Sequence, residues 1–488
     1  MGLSAVLWVI FAGPKVLQHM SGNTADLDTG NYHHLAWAIL HGDGFASSIL
    51  GRHHLGEHCS PVMVLVSLFY LVWPSAYVLM LLQATAAWAG VVLCLWQAGR
   101  ELLKAELQSE GTRAIATGVV LVLMLLYPAL LATWATQFQP ITLGLPLVIA
   151  AVLLIEYGRT GWLWPVVILL LSTRESAPLA VVGLAIFAGV GKGRWGLAGV
   201  LVLVAATWAA VAMGVVMPYF RDGEWRHKSY IDWAADWDSK SLYLASVLLG
   251  FGPLIFLGRR AIAATLGALP GVVLNVSVDR PPQYEFLGHY DGQTAPFLMI
   301  GAVFGLGWLA SRQWKTVWKS VSLAASLVVA GVLFGQVGVK GPFQLVGDYW
   351  PTRDARRAIA EAEAMAPHYA DAPRFTAHHR LGPHLSGRPG YVAERMSRGE
   401  SRWVSFATTR VVPGHIFFTL KDHDVIARSG MSEQLERSGH AKVIAQGDYI
   451  VVWQWPLDAP PLGSDALKRY AADGYREPSL DDHAANGL

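Results

Sequence analysis

The sequence predicts a mainly α protein, a polytopic bundle of transmembrane helices followed by a C-terminal α/β domain. Three observations carry that prediction. Of 488 residues, 53% are hydrophobic and only 15% are charged, and the mean hydropathy of +0.37 exceeds what a soluble domain of this size needs. Apolar runs recur along the first 339 residues, many of them ending in Lys or Arg. From Lys340 onward the composition turns polar, with the periodicities of soluble helices and strands. Charge nearly balances, 37 Lys and Arg against 35 Asp and Glu, which gives no reason to expect a nucleic-acid partner. Cys59 and Cys94 are the only cysteines, so no disulfide framework is indicated.

Residues 1–17 have no basic region before Leu3 and no clear small-residue cleavage site. They predict a retained helix rather than a signal peptide, at the short limit for crossing a bilayer. A polar first outer loop, 18–61, follows and holds Asp26, Asp28, His33, His34, His41, Asp43, Arg52, His53, His54, Glu57 and His58. Structureless loops beyond about 12 to 15 residues are uncommon and often functional, which makes this the leading site region. Residues 62–73, bracketed by Pro61 and Pro74, are apolar but too short to cross and predict an interfacial helix. Residues 76–97, 114–134 and 141–155 predict spans.

Residues 162–172 and 177–190 are each short for a crossing, and Thr173, Arg174, Glu175 and Ser176 separate them. As one helix they would set Arg159 against Lys192 and Arg194 across the membrane, contrary to the positive-inside rule. A broken pair over 162–190, forming a V with Arg174 and Glu175 at its apex, keeps all three cations on one side. Further spans fall at 195–217, 242–257, 261–276, 294–310 and 320–339. The count is about eleven membrane helices, the broken pair included, in a transmembrane domain 1–339. With the basic clusters cytoplasmic, loops 18–61, 218–240 and 277–293 and everything after Lys340 are extracytoplasmic.

Residues 340–456 predict a small α/β domain with helices at 353–365 and 422–438 and strands at 374–377, 415–420, 441–445 and 449–455. The tail 457–488 predicts loose order. No Walker-type phosphate loop is present, so ATP-driven chemistry is not indicated.

Arg174 and Glu175 are the first site candidates, because ionisable groups at membrane depth cost several kcal/mol unless paired or facing water. They serve either as a self-neutralising pair capping two half-helices or as a functional pair lining a cavity, where the planar donors of Arg174 can hold a phosphate. Asp26 and Asp28 can deprotonate a hydroxyl, bind a divalent cation, or start a helix at 31–40 as N-terminal acids. Residues 54–58 spell H-x-x-E-H, a zinc-peptidase pattern. Gly56 and Pro61 argue against the helix it requires, and a structural metal site from His53, His54, Glu57 and His58 fits better. The second outer loop carries Trp225, Trp233 and Trp237, which suit a sugar ring or a membrane surface equally. The third carries Asp279, Arg280, Tyr284, Glu285, His289, Tyr290 and Asp291.

The run Asp28, Thr29, Gly30, Asn31, Tyr32, His33, His34, Leu35, Ala36, Trp37, with Gly42 and Phe45, resembles the opening motif of a domain-of-unknown-function family of bacterial multi-pass membrane proteins. Asp28, Gly30, Tyr32 and Trp37 carry the match. It continues in His58, Ser60 and Pro61, in the 173–175 break, in His289 with Tyr290, and in Pro383, His384, Leu385, Ser386 and Arg388. It departs at His33 and His34, at Arg174 in place of Lys, and at Gln139 in place of a His. The family looks like a branch of the GT-C glycosyltransferases, which take a sugar from a polyprenyl-phosphate carrier.

That resemblance implies a GT-C-type bundle in the bacterial inner membrane. Asp28 would be the catalytic base or a metal ligand. Arg174 would meet the carrier phosphate, with Glu175, His58, His289, Tyr290 and Trp37 as further substrate-binding residues. It implies a lipid-linked sugar donor and membrane lipid as partners. No cofactor is certain, a divalent cation being the candidate. Competing readings are a non-catalytic membrane subunit that docks a protein partner through 340–456, and a transporter built on the broken helix.

Overall fold

A computed structural model of the chain describes residues 2–50, 52–105, 109–221, 223, 236–278, 281–286, 288–312, 316–388, 391, 413–421, 432, 435–436 and 438–458, without the side chains of 26 and 27. Trp225, Trp233, Asp279, Arg280, most of the predicted helix 422–438 and the tail beyond 458 lie outside the described residues. The chain divides into two compact units, Met1–Val16 with His54–Val66 and Met80–Asp348, and Leu17–His53 with Ser67–Leu79 and Tyr349–Leu488.

The first unit is helical. Among the described residues four helices are long and apolar enough to cross a membrane: Gly2–Met20, Ala76–Lys104, Trp195–Tyr219 and Thr316–Asp348. A fifth candidate, Glu110–Leu125 with Pro128–Ala135, is bent by 56°. The straight span expected at 114–134 is therefore a broken one. Pro128 has no amide hydrogen with which to continue the ladder, and it instead opens the next helix near its first position. Pro140–Glu156, Thr160–Leu171, Ala177–Gly191 and Ala295–Ser311 are shorter apolar helices, so the described residues do not reach the count of about eleven membrane helices expected from sequence.

The span expected at 242–257 is likewise interrupted. Helix Trp237–Leu249 gives way to a 3-10 turn at Gly252–Phe256. Gly252 has φ of +55°, and a Cβ there would lie 2.8 Å from the Ser326 backbone, so both conformation and space demand glycine.

One close contact fixes the frame beside the 172–176 break. At Gly183, in Ala177–Ile186, a Cβ would come within 2.2 Å of the Gly267 carbonyl in Arg259–Val276. The two backbones therefore touch, as small residues allow between membrane helices. Elsewhere in the unit, Arg260 bridges Glu101 at 2.7 Å and Glu156 at 3.1 Å, while Lys192 reaches Glu156 at 3.2 Å and Lys104 reaches Glu101 at 3.5 Å. Basic residues that the sequence assigns to one side of the membrane thus share two buried carboxylates.

The second unit is α/β. A short hairpin pairs β1 (Ala46–Ser47) with β2 (Arg52–His53). The main sheet contains β3 (Phe375–Ala377), β4 (Ile416–Leu420), β5 (Lys442–Gln446) and β6 (Ile450–Gln454), in the order β3-β4-β6-β5. β3 and β4 are parallel and the other pairs antiparallel. Every residue of β4 is buried, as a central strand requires, whereas β5 is largely exposed and carries Lys442 at the edge.

Helix Arg353–Met365 is capped by the Thr352 hydroxyl, which accepts from the Ala355 amide at 3.1 Å. It buries Ala358, Ile359 and Ala362 in a core with Phe375, Phe418, Ile450 and Val452. On the same helix, the Glu361 carboxylate accepts from the Tyr449 and Ile450 amides and so ties the helix to the start of β6.

Candidate functional site

The predicted break at 173–176 exists. Helix Thr160–Leu171 ends, and helix Ala177–Ile186 begins with Pro178 in its first turn. The Ser172 carbonyl, freed by the break, accepts from the Val62 amide at 3.0 Å. That bond brings the segment after His58 against the broken helix.

Arg174 and Glu175 are 7% and 5% exposed. Burial at this level requires that each charge find a partner. Glu175 Oε1 accepts from His58 Nδ1 at 2.9 Å and from Arg174 Nε at 3.4 Å, and Oε2 accepts from the Cys59 amide at 3.1 Å. Arg174 Nη2 lies 3.3 Å from His58 Nε2, which accepts because a guanidinium can only donate. Arg174 Nη1 lies 2.6 Å from His289 Nε2, which therefore also accepts. Two imidazoles thus flank one ion pair. His289 stacks on Tyr290 with centroids 4.5 Å apart.

The loop bearing His289 is held from behind. Asp291, 2% exposed, accepts from the Tyr243 hydroxyl at 2.7 Å and from Asn275 Nδ2 at 3.2 Å. Both donors are neutral, and burial pushes its carboxyl up to about 7 against their opposing hydrogen bonds. Gln293 Nε2 donates to Thr173 Oγ1 at 3.4 Å, a second tie between the loop and the break. Tyr243, Asn275 and Gln293 were not singled out by sequence reasoning. A Gln-Thr pair just before Pro296 was the one available hint.

Beside the break a small recess of about 20 Å³, room for a water or two, lies between Ala177–Ile186 and Arg259–Val276. Ser176, Asn275, Tyr290, Gln293 and Thr294 supply its polar lining.

Of the sequence candidates, His58, Arg174, Glu175 and His289 are joined by hydrogen bonds, with Tyr290 stacked alongside. Asp28 and Trp37 belong to the second unit. Asp28 lies in a π-helical turn, Asp26–Gly30, and the cap position of helix Asn31–Leu40 is Gly30. Trp37 stacks on His41 at 4.2 Å. Around them the unit is welded by histidines. His33 Nδ1 meets the Tyr70 hydroxyl at 2.9 Å, His34 Nδ1 donates to the Ser386 carbonyl at 3.0 Å, and His19 stacks on His384 at 3.9 Å. Burial, with His34 and His384 nearby, pushes the His33 imidazole down to about 3.

The metal reading of residues 53–58 does not fit the geometry. Glu57 pairs with Arg221 at 2.9 Å and His58 with Glu175. Among the described residues no group of three or more His, Cys, Asp or Glu side chains is arranged to hold a metal ion. The short helix His54–Glu57 does form, and Gly56 is needed there because a Cβ would lie 2.7 Å from the Phe220 carbonyl oxygen.

Fold and site together define an integral membrane protein with a helix broken around a buried Arg-Glu pair. The chain belongs to the family described as Predicted membrane protein (DUF2079), whose model matches residues 18–407. No curated protein matches the chain. Among solved structures it is similar to ArnT from Cupriavidus metallidurans bound to undecaprenyl phosphate, with 14% identity, a TM-score of 0.55, and coverage of 94% of this chain and 98% of that one. The same protein in the apo state matches at 14% identity and a TM-score of 0.54, covering 93% and 97%. The fold is therefore ArnT-like.

Proposed function

We propose that this protein is a membrane transferase that takes a sugar from a polyprenyl-phosphate donor and passes it to an extracytoplasmic acceptor. The observation that carries the reading is Arg174, a buried guanidinium held at a helix break between two histidine acceptors and anchored by Glu175. Its Nη1 and Nη2 donors are matched to imidazole nitrogens, which a phosphate oxygen can replace. Either imidazole can then take up a proton and turn from acceptor to donor, adding positive charge where the leaving phosphate develops negative charge. That the ArnT structure holds undecaprenyl phosphate in a similar fold supports the choice of ligand.

In this reading Asp28 is the base that deprotonates the acceptor hydroxyl, and Trp37, His58, Glu175, His289 and Tyr290 position substrate. The transmembrane part is 1–339 and the 340–456 domain faces outward, so donor lipid enters between helices and acceptor arrives from outside the inner membrane.

The test is transfer or hydrolysis of a polyprenyl-phosphate-linked sugar by purified protein. Asp28→Asn and Arg174→Ala are each expected to abolish turnover in folded protein. Unchanged turnover in both variants overturns the site assignment.

A further inference from the structure

We propose that Arg159, Arg194 and Arg259 form a binding site for the phosphodiester headgroup of an anionic phospholipid, on the face that the sequence assigns to the cytoplasm. The site is separate from the Arg174 break and does not rest on the transferase reading. Its basis is one dipeptide used three times. Gly158-Arg159, Gly193-Arg194 and Gly258-Arg259 each stand where a helix begins, at Thr160, Trp195 and Arg259. The glycines have φ of +71°, +70° and +85°, so each turns the chain sharply and delivers an arginine to the end of the bundle. The Arg194 guanidinium sits against Gly158, where a Cβ would lie 3.0 Å from Nη2, and Arg259 Nη2 lies 4.0 Å from the Cβ position of Gly193. Arg194 thus adjoins the residue before Arg159, and Arg259 the residue before Arg194, which sets the three in one row. Arg259 Nε also donates to the Val190 carbonyl, which fixes its end of the row.

Charge pairing singles these three out. Their neighbours Lys192 and Arg260 are matched to Glu156, and Arg260 and Lys104 to Glu101. Among the described residues no carboxylate pairs with Arg159, Arg194 or Arg259. A row of like charges lacks a counter-ion, and phosphodiester oxygens supply one in the geometry that guanidinium donors fit best. What lies beside the row distinguishes a lipid from a soluble anion. Trp162 and Trp195 follow Arg159 and Arg194 closely in the chain and are 72% and 66% exposed, as aromatic side chains at the headgroup level are. Further along the same two helices Ile168, Val200, Val202 and Leu203 are exposed, an apolar wall for the acyl chains below the headgroup.

The experiment titrates purified full-length protein in neutral detergent with phosphatidylglycerol and, separately, phosphatidylcholine. A basic residue near an anionic lipid surface is worth about fivefold in affinity, so wild type is expected to prefer phosphatidylglycerol at least tenfold. Arg159→Gln, at an exposed position, should reduce that preference about fivefold, and the triple variant Arg159→Gln, Arg194→Gln, Arg259→Gln should abolish it. Arg113→Gln with Arg312→Gln and Lys319→Gln removes the same charge from the same face elsewhere and should leave the preference intact. Glycerophosphoglycerol, the headgroup without acyl chains, should not displace the lipid. Equal binding of the two lipids by wild type overturns the proposal, as does equal loss in the two triple variants, which would reflect net charge alone. Displacement by the free headgroup overturns the choice of a lipid over a soluble anion. If the first triple variant does not fold, Arg159→Gln decides: a fivefold loss supports the site and an unchanged preference overturns it.

Discussion

Two histidine-rich clusters, one in each compact unit, use the same side chain in opposite ways. At the helix break, His58 and His289 accept hydrogen bonds from a guanidinium whose counter-ion is the neighbouring Glu175. In the second unit, His33 and His34 are buried against a phenol and a carbonyl, and His19 stacks on His384. The first cluster keeps a full charge at depth, which is expensive to maintain and useful for holding an anion. The second uses its polar groups to join segments of chain, His33 to Tyr70, 37 residues apart, and His34 to Ser386, 352 residues apart. Charge, not histidine content, distinguishes the two clusters, and the proposed phosphate site is the one that holds the guanidinium.

The comparison can be broken by substitution. Arg174→Ala has the largest expected effect. It removes the guanidinium and leaves Glu175 buried with fewer partners, and loss of one such charged interaction is worth about 2.7 to 4 kcal/mol at a site stabilising developing charge. Affinity for a prenyl phosphate should fall at least a hundredfold, checked by binding to purified protein, and Arg174→Lys should recover part of it. Glu175→Gln comes next. A breached buried pair costs about 3 to 5 kcal/mol, so the melting temperature should drop clearly, with a smaller loss of lipid-phosphate affinity. Tyr70→Phe, in the other cluster, should cost only about 1 to 3 kcal/mol by leaving the His33 nitrogen without its hydroxyl, and prenyl-phosphate affinity should be unchanged.

The subtlest prediction is that the two regions respond to pH in opposite directions. The His33 pKa is depressed to about 3 from 6.5. Between those values the unfolded chain binds more protons, so the contribution is complete above pH 6.5 and is lost as pH falls towards 3. Asp291 is raised from 3.8 to about 7. There the native state binds more protons, so its contribution is complete below pH 3.8 and is lost as pH rises through 7. Hydrogen exchange, corrected for its intrinsic pH dependence, should show residues 30–36 loosening in acid and residues 288–294 loosening in base. Parallel behaviour would contradict the distinction.

Much of the local structure was legible. Strands at 374–377, 415–420, 441–445 and 449–455 and helices at 31–40 and 353–365 differ from the observed elements by one residue at most at any end. Side-chain period and turn residues fix such elements without tertiary help. The break at 173–176 was legible because an Arg-Glu pair inside an apolar run admits few arrangements. His58 and His289 enter the candidate set through the family resemblance, alongside Asp28 and Trp37, which belong to the second unit. The bend at 126–127 and the interruption after Leu249 were missed because both runs stay apolar through them. There a single proline, or a glycine pressed against Ser326, overrides hydropathy. The Tyr243, Asn275 and Asp291 network was hidden as well, since its members come from three separate elements and no spacing links them.

Prenyl-phosphate binding to three purified full-length proteins tests the central claim most directly: wild type, Arg174→Ala and Tyr70→Phe, at neutral pH. The account predicts that wild type and Tyr70→Phe bind alike and that Arg174→Ala binds at least a hundredfold more weakly. Equal binding by all three, with each protein shown to be folded, would contradict it.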